Sequence, residues 1–291
     1  MLAIPLTVNT ELEHGKVGRQ FRNGDVTRLI EPNSILIGPG GKPLVVFGRL
    51  ERDYSQIKAY LPHFKYHYEK RLGRTNRAHE SMKHGEIGFG FFPKKPMFNL
   101  AAAANKFNYE EPGCYRLFCE LAQDLMGYIE KYNPERYLEQ LNQSYQIHER
   151  WKLPNTFFTG GNINDTANLD YHYDKGNFKD CWSAMAVFRR DTVGGNLAIP
   201  ALNCELQIED ETFVLFDGQS MLHAVTPITK TKLKGRRFSV VFYGLQQLKN
   251  AGTYDEELQF MRDSDMRKQT RNAQSGAPII KRKRKYPAIT Q

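Results

Sequence analysis

Three short segments constrain this chain more than any others: His172-Tyr173-Asp174, the single His223, and Arg237-Phe238-Ser239. In an extended backbone, residues two apart point to the same side. His172 and Asp174 can therefore face one point while Tyr173 turns away. A third ligand for that point must come from another strand, and His223 lies 49 residues after Asp174. It follows Thr212-Phe213-Val214-Leu215-Phe216, which reads as a strand, and the turn Asp217-Gly218-Gln219. A fold that uses all three must bring distant strands together. Two imidazoles and one carboxylate form the facial set that holds non-haem iron(II) and leaves positions open for cosubstrate and dioxygen. The same alternation puts Arg237, Ser239, Val241 and Tyr243 on one face. An arginine there can form two parallel hydrogen bonds with a dicarboxylate cosubstrate, and Ser239 can add its hydroxyl to the same carboxylate. A lone His-x-Asp triplet is a weak signal. The order His-x-Asp, β-rich interval, His, then Arg-x-Ser is a stronger one.

The stretch from Asn155 to Gln247 resembles the TET/JBP branch of the 2-oxoglutarate and iron(II)-dependent dioxygenases. The resemblance is carried by Phe157-Phe158-Thr159, His172 through Asn177, Gly194-Gly195-Asn196-Leu197, His223 through Ile228, and Arg237 through Tyr243. It covers about a third of the chain well, and the first 110 residues match less distinctively. The resemblance implies that His172, Asp174 and His223 bind Fe(II) and carry the catalysis. It also implies that Arg237 binds the far carboxylate of 2-oxoglutarate, and that the substrate is a 5-methylpyrimidine in nucleic acid. Asn177 falls where such enzymes place a polar residue that touches the target base. Leu245 departs from the pattern, because TET enzymes tend to have a histidine there; cytosine and thymine therefore both stay open as the target.

Composition fits an intracellular enzyme. The four cysteines, at 114, 119, 181 and 204, form no CxxC pair, which argues against a disulfide framework or a zinc site and for a reducing compartment. No apolar run approaches the length of a membrane span, and the first residues lack the pattern of a signal peptide. The expected location is the cytoplasm or nucleoid in a prokaryotic or viral setting and the nucleus in a eukaryotic one. No membrane partner is expected, and the chain is expected to be a monomer. The net charge of +9 is concentrated at the C-terminus: residues 262–291 carry +7 and the rest only +2. The run Lys281-Arg282-Lys283-Arg284-Lys285 reads as part of a flexible basic arm suited to phosphate contact. Lys230, Lys232, Lys234 and Arg236 lie between the last ligand and Arg237, so they are expected to rim the mouth of the site and touch substrate phosphates. A second basic run includes Lys65, Lys70, Arg71, Arg74 and Arg77.

The expected fold class is α+β: a double-stranded β-helix, or jelly-roll, core with N-terminal helices packed on the sheet and a basic C-terminal tail. Residues 1–110 read as a mixed α/β elaboration, 111–250 as the dioxygenase core with its supporting helices, and 251–291 as the tail. Within the first section, Ser34–Ile37 and Leu44–Phe47 read as a hairpin about Gly38-Pro39-Gly40-Gly41. Residues 53–67 read as a short helix, and 86–98 as a strand followed by a loop. Residues 112–146 read as two helices broken at Asn133-Pro134. The first carries an apolar stripe of Leu117, Phe118, Leu121, Leu125, Tyr128 and Ile129, expected to pack against the sheet. Further strands are expected at 182–188, 196–200, 204–208, 212–216 and 238–245.

The function these readings support is oxidation of 5-methylcytosine in DNA to 5-hydroxymethylcytosine, with further oxidation left open. It would use Fe(II), 2-oxoglutarate and dioxygen, with the base flipped out of the duplex to reach the site. One alternative is a thymine hydroxylase of the JBP type giving 5-hydroxymethyluracil. Others are a 2-oxoglutarate dioxygenase acting on a protein side chain and a catalytically inactive nucleic-acid-binding module. An arginine anchor, basic clusters and an intact ligand set argue against the last two.

Overall fold

Strands that are apolar on both faces need cover on both sides, and Val45-Val46-Phe47 and Phe213-Val214-Leu215-Phe216 are runs of that kind. In the computed structural model, which describes residues 1–64, 67–68, 85–93 and 102–257 together with 259, 263 and 266, both runs lie inside one large sheet. The chain opens with β1 (Leu2–Pro5), β2 (Arg28–Ile30), β3 (Ser34–Ile37), β4 (Pro43–Arg49) and the helix α1 (Ser55–Tyr60). Next come β5 (His67–Tyr68), β6 (Gly85–Phe92) and β7 (Ala103–Ala104), then α2 (Phe107–Glu110), α3 (Pro112–Tyr132) and α4 (Pro134–Ser144). The remainder is β: β8 (Gly160–Asp165), β9 (Ser183–Arg190), β10 (Thr192–Gly194), β11 (Leu197–Ile199), β12 (Cys204–Leu206), β13 (Thr212–Phe216), β14 (Ala224–Val225), β15 (Ile228–Lys230) and β16 (Arg236–Tyr243).

Among the described residues, the large sheet runs β1-β3-β4-β13-β9-β16-β8-β6-β5, with β7 on β6. A smaller sheet runs β14-β11-β12-β2, and β10 pairs β15 as a two-stranded ribbon. Side-chain alternation builds two cores. Val45, Phe47, Met185, Val187, Val214 and Phe216 point toward Leu197, Ile199, Cys204 and Leu206 of the small sheet, filling the jelly roll. Their neighbours Val46, Ala184, Ala186, Phe188, Phe213 and Leu215 point the other way, onto α3 through Phe118, Leu121, Leu125 and Ile129. The Tyr128 ring stacks on Phe213 with centroids 4.4 Å apart. This is the α+β jelly-roll fold expected, with the helical stripe on the sheet.

Local sequence explains where the elements stop. The side chain of Asn133 accepts a hydrogen bond from Arg136 N, so the residue that ends α3 caps α4, with Pro134 in its first turn. The expected hairpin of β3 and β4 forms about Pro39–Gly41, with a register shift at Leu36/Ile37. The segment to residue 110, expected as an elaboration, supplies β3, β4 and β6 to the same sheet as β8, β9, β13 and β16.

Residues 251–257 are held against the core. Trp151 Nε1 donates to Gly252 O at 2.8 Å, and the Tyr254 ring lies 5.2 Å from that of Trp151. The Lys281–Lys285 run and the basic run from Lys65 to Arg77 lie outside the described residues. All four cysteines are buried and unpaired by disulfides. No described helix is long and apolar enough to cross a membrane.

Candidate metal centre

The ligand segment around residues 172–174 is not the regular strand its alternation predicts. It is a loop stitched to its neighbours at single points. His172 N donates to His223 O at 2.9 Å, and His223 N returns the bond to His172 O at 3.1 Å. Asp174 N donates to Gly218 O at 2.8 Å. A second isolated bridge joins Asn177 to Leu245 just beyond β16. The extended geometry needed to aim His172 and Asp174 together thus comes from pairing with the loop that follows β13.

The three side chains converge. One ligand atom from each of His172, Asp174 and His223 lies within 4.8 Å of the others, and this is the metal-capable cluster found among the described residues. Asp174 Oδ1 is 3.6 Å from His172 Nε2 and 3.8 Å from His223 Nε2. The other ring nitrogens are committed: His172 Nδ1 lies 2.7 Å from Asp170 O, and His223 Nδ1 lies 2.9 Å from Met221 O. Each carbonyl selects the tautomer with the proton on Nδ1 and leaves the Nε2 lone pair facing the carboxylate. Burial, with His172 adding to it, pulls the His223 pKa down to about 4, so the ring is neutral and ready to ligate at neutral pH. A Cβ on Gly218 would run into the Asp174 carboxylate, so the glycine leaves that side chain its place.

Arg237 sits further along the same interior. It is 1 % exposed, and its Nε and Nη2 have no hydrogen-bond partner. Burial, with Arg189 alongside, pulls its pKa down to about 9. A buried cation with idle donors is costly unless an anion answers it. The site therefore fits a carboxylate. Gly195 has φ +68°, and a Cβ there would lie 2.7 Å from Arg237 Cδ; the paired glycines of the Gly194-Gly195 motif clear room for this side chain. Ser239 is buried on the same face, 3.5 Å from Asn164 Nδ2. Asn177 is buried near the triad, its Nδ2 donating to Ser183 Oγ at 3.0 Å.

The lysines expected at the mouth lie on the β10–β15 ribbon and the turn that follows it. On β9 and β16, the Ser183 and Phe242 ends adjoin Asn177 and the loop after Phe216, whereas Arg190 and Arg236 pair at the opposite end. Lys230 lies on the β10–β15 ribbon opposite Thr192, and Lys232 Nζ is 2.9 Å from Asp191 Oδ1. Lys234 is exposed on the same turn. Arg236 forms a two-point pair with buried Asp165, at 3.1 and 2.6 Å. These residues group with the start of β16, whereas Asn177 bridges to Leu245 just past its other end. The exposed cations beside the triad are Lys175 and Lys179, which flank Asn177. Their only signal in the sequence is adjacency to His172-Tyr173-Asp174.

Residues 99–246 match the Tet_JBP family model, described as the oxygenase domain of the 2OGFeDO superfamily. No curated protein matches the chain. Among solved structures, "NgTET1 in complex with 5mC DNA" superposes with a TM-score of 0.56 at 13% identity, covering 88% of this chain and 100% of that one. A 2OG-Fe(II) oxygenase family oxidoreductase from Burkholderia pseudomallei gives 0.44 at 10% identity, over 68% of this chain and 84% of its own. OsALKBH1 gives 0.41 at 12% identity, over 69% and 98%. With the family model spanning just over half of its residues, and a carboxylate and two imidazoles gathered into one metal-capable cluster, the chain belongs to the TET/JBP family of dioxygenases that use Fe(II), 2-oxoglutarate and dioxygen.

Proposed function

We propose that this protein oxidises the 5-methyl group of a pyrimidine in DNA, with 5-methylcytosine as the favoured base, and that Arg237 and Ser239 hold the far carboxylate of 2-oxoglutarate. The observation that carries the cosubstrate assignment is the buried Arg237 guanidinium with two idle donors. Its rigid fork matches a carboxylate in two parallel bonds. When bound, iron(II) and 2-oxoglutarate supply the dioxygen activation that breaks the methyl C–H bond, with succinate and carbon dioxide as coproducts. The protein supplies the rest. His172 and His223 present their Nε2 atoms, the Asp170 and Met221 carbonyls fix their rings, and Gly218 leaves the Asp174 carboxylate its place.

Three features support a base as substrate. The NgTET1 fold match was solved on 5mC DNA. Asn177 stands three residues after Asp174, and with Nδ2 given to Ser183 its amide oxygen remains to accept from a base. An acceptor suits the exocyclic amine of cytosine; Leu245 opposite it offers no polar atom, which keeps the thymine reading as the second one. Lys175 and Lys179 are exposed at this end and form no ion pair among the described residues, so they are placed to meet phosphates of a duplex whose base is flipped inward. The direct test is nucleoside mass spectrometry on 5-methylcytosine-bearing and unmethylated DNA incubated with iron(II), 2-oxoglutarate and ascorbate. 5-Hydroxymethylcytosine is the expected product. 5-Hydroxymethyluracil alone would transfer the assignment to thymine, and succinate production with neither base would remove DNA as substrate.

Two further outcomes follow. Asn177→Ala is expected to lower base oxidation at subsaturating DNA while metal binding and succinate formation without DNA persist. Oxidation equal to wild type would leave Asn177 with a purely structural bond to Ser183. Replacing both Lys175 and Lys179 with alanine is expected to flatten the log–log salt dependence of DNA affinity by about one unit per lost phosphate contact. The same change at Lys230, Lys232 and Lys234 is expected to leave it nearly as it is. Fluorescence anisotropy across a salt series separates the two, and the opposite ranking would return the basic rim to the β15–β16 turn.

A further inference from the structure

A short 3-10 turn near the N-terminus, Thr10–Glu13, reaches the metal centre from outside the residues matched by the family model. Glu13 Oε2 accepts from the Tyr173 hydroxyl at 3.0 Å, and Glu13 Oε1 accepts from Leu222 N at 3.2 Å. Tyr173 sits between the ligands His172 and Asp174, and Leu222 immediately precedes His223. One carboxylate therefore ties together the two loops that carry all three ligands. We propose that Glu13 is a positioning residue for the metal centre, holding the His172–Asp174 loop and the His223 loop in ligating register through Tyr173 and Leu222.

The bridge has a firm base. Asn9 N donates to Ala201 O at 2.7 Å, and the Asn9 side chain accepts from Glu11 N at 3.1 Å, which fixes the turn against the end of β11. Downstream, Gly18 N donates to Tyr171 O at 2.7 Å and Tyr171 N to Arg19 O at 2.9 Å, so the same N-terminal segment also grips the residue before His172. Asp25 gathers Lys16 and Arg19 at 3.4 and 2.8 Å and closes this segment on itself. Leu222 is fully buried, so its N–H has Glu13 in place of water. The ring directions of His172 and His223 depend on the carbonyls of Asp170 and Met221, which lie on the same two loops. Beside the backbone bonds between His172 and His223 and from Asp174 N to Gly218 O, the Glu13 side chain couples those loops. A group that orients ligands from behind is expected to show its effect on metal affinity, by roughly 10–100-fold.

The inference rests on the reading that the triad holds a metal. Its test is calorimetric titration of the full chain with Mn(II), with 2-oxoglutarate and DNA absent. Thermal unfolding of the metal-free proteins is recorded in parallel. Glu13→Ala is expected to weaken Mn(II) binding by about tenfold or more. Glu13→Gln is expected to stay close to wild type, because the amide oxygen can accept from Leu222 N and the amide nitrogen can donate to the Tyr173 oxygen. Tyr173→Phe, which removes one of the two bonds with the smallest change, is expected to fall between them and remains informative if Glu13→Ala fails to fold. Unchanged Mn(II) affinity in Tyr173→Phe and Glu13→Ala, whatever their melting temperatures, would overturn the bridge and leave a purely structural contact. Glu13→Gln failing as badly as alanine would also overturn it. Failure of the wild-type chain to bind Mn(II) would overturn the triad itself, an outcome distinct from either.

Discussion

Asp174→Ala is expected to reduce turnover to background and to abolish tight metal binding, with stability changed by only about 1 kcal/mol. The carboxylate supplies the one anionic ligand, and both Nε2 atoms are aimed at it from 3.6 and 3.8 Å. His172→Ala and His223→Ala are expected to match it in turnover, since each opens the facial set. A sharper version uses a residue that is not a ligand: Gly218→Ala puts a methyl group into the Asp174 carboxylate and is expected to displace it. Metal titration together with oxidised-base yield checks all four. Full activity in any of the three ligand variants would mean that the metal lies elsewhere, and wild-type binding by Gly218→Ala would show that the loop yields easily.

Arg237 gives the second large effect, and it runs in two directions. Arg237→Lys keeps the charge but loses the fork; hydrogen bonds to charged groups contribute about 1.5–3 kcal/mol, so the 2-oxoglutarate concentration for half-maximal rate is expected to rise by roughly tenfold or more. Arg237→Met removes the charge altogether. It is expected to eliminate cosubstrate saturation while raising the melting temperature of the cosubstrate-free protein, because a buried cation with idle donors is replaced by an apolar chain of similar reach. Wild type and the two variants are compared by titration with 2-oxoglutarate and by thermal unfolding with and without it. Indistinguishable 2-oxoglutarate curves would move the anchor to another residue. A large loss of melting temperature in Arg237→Met would show that the guanidinium already has its partners within the fold.

The parts of this site that were legible in the sequence are those carried by side chains in a fixed order. His172, Asp174, His223 and Arg237 each announce a chemistry, and alternation along β16 predicts which of its residues share the face of Arg237. The parts that were not legible are carried by backbone or by long-range placement. The carbonyls of Asp170 and Met221 that set the histidine tautomers have no residue-type signature. Strand β8, Gly160–Asp165, reads Gly-Gly-Asn-Ile-Asn-Asp and has Ile163 as its single β-branched residue among glycines, asparagines and an aspartate that are depleted in strands. It exists because β16 and β6 pair on either side of it and the Phe89 ring covers Gly161. The placement of the β15–β16 turn at the Arg236 end of β16, away from the Asn177–Leu245 bridge, also has no signature in the run of lysines itself. Glu13 was silent for the opposite reason: a glutamate in a polar stretch gives no sign that the chain has folded back across two distant loops.

The seating of β4 against β13 has a practical consequence for anyone who wishes to express a minimal enzyme. Residues 99–246 are the part recognisable by family, but cutting there removes β4, the hydrogen-bonding partner of β13, and β6, the partner of β8. Both newly bared edges would present open ladders of amide and carbonyl groups, and on β13 the apolar faces would lose cover as well, a combination that favours pairing between molecules. The same cut discards Glu13. The smallest autonomous unit is therefore set by strand partnership and reaches back to the first strands of the chain, well ahead of the point where family resemblance begins.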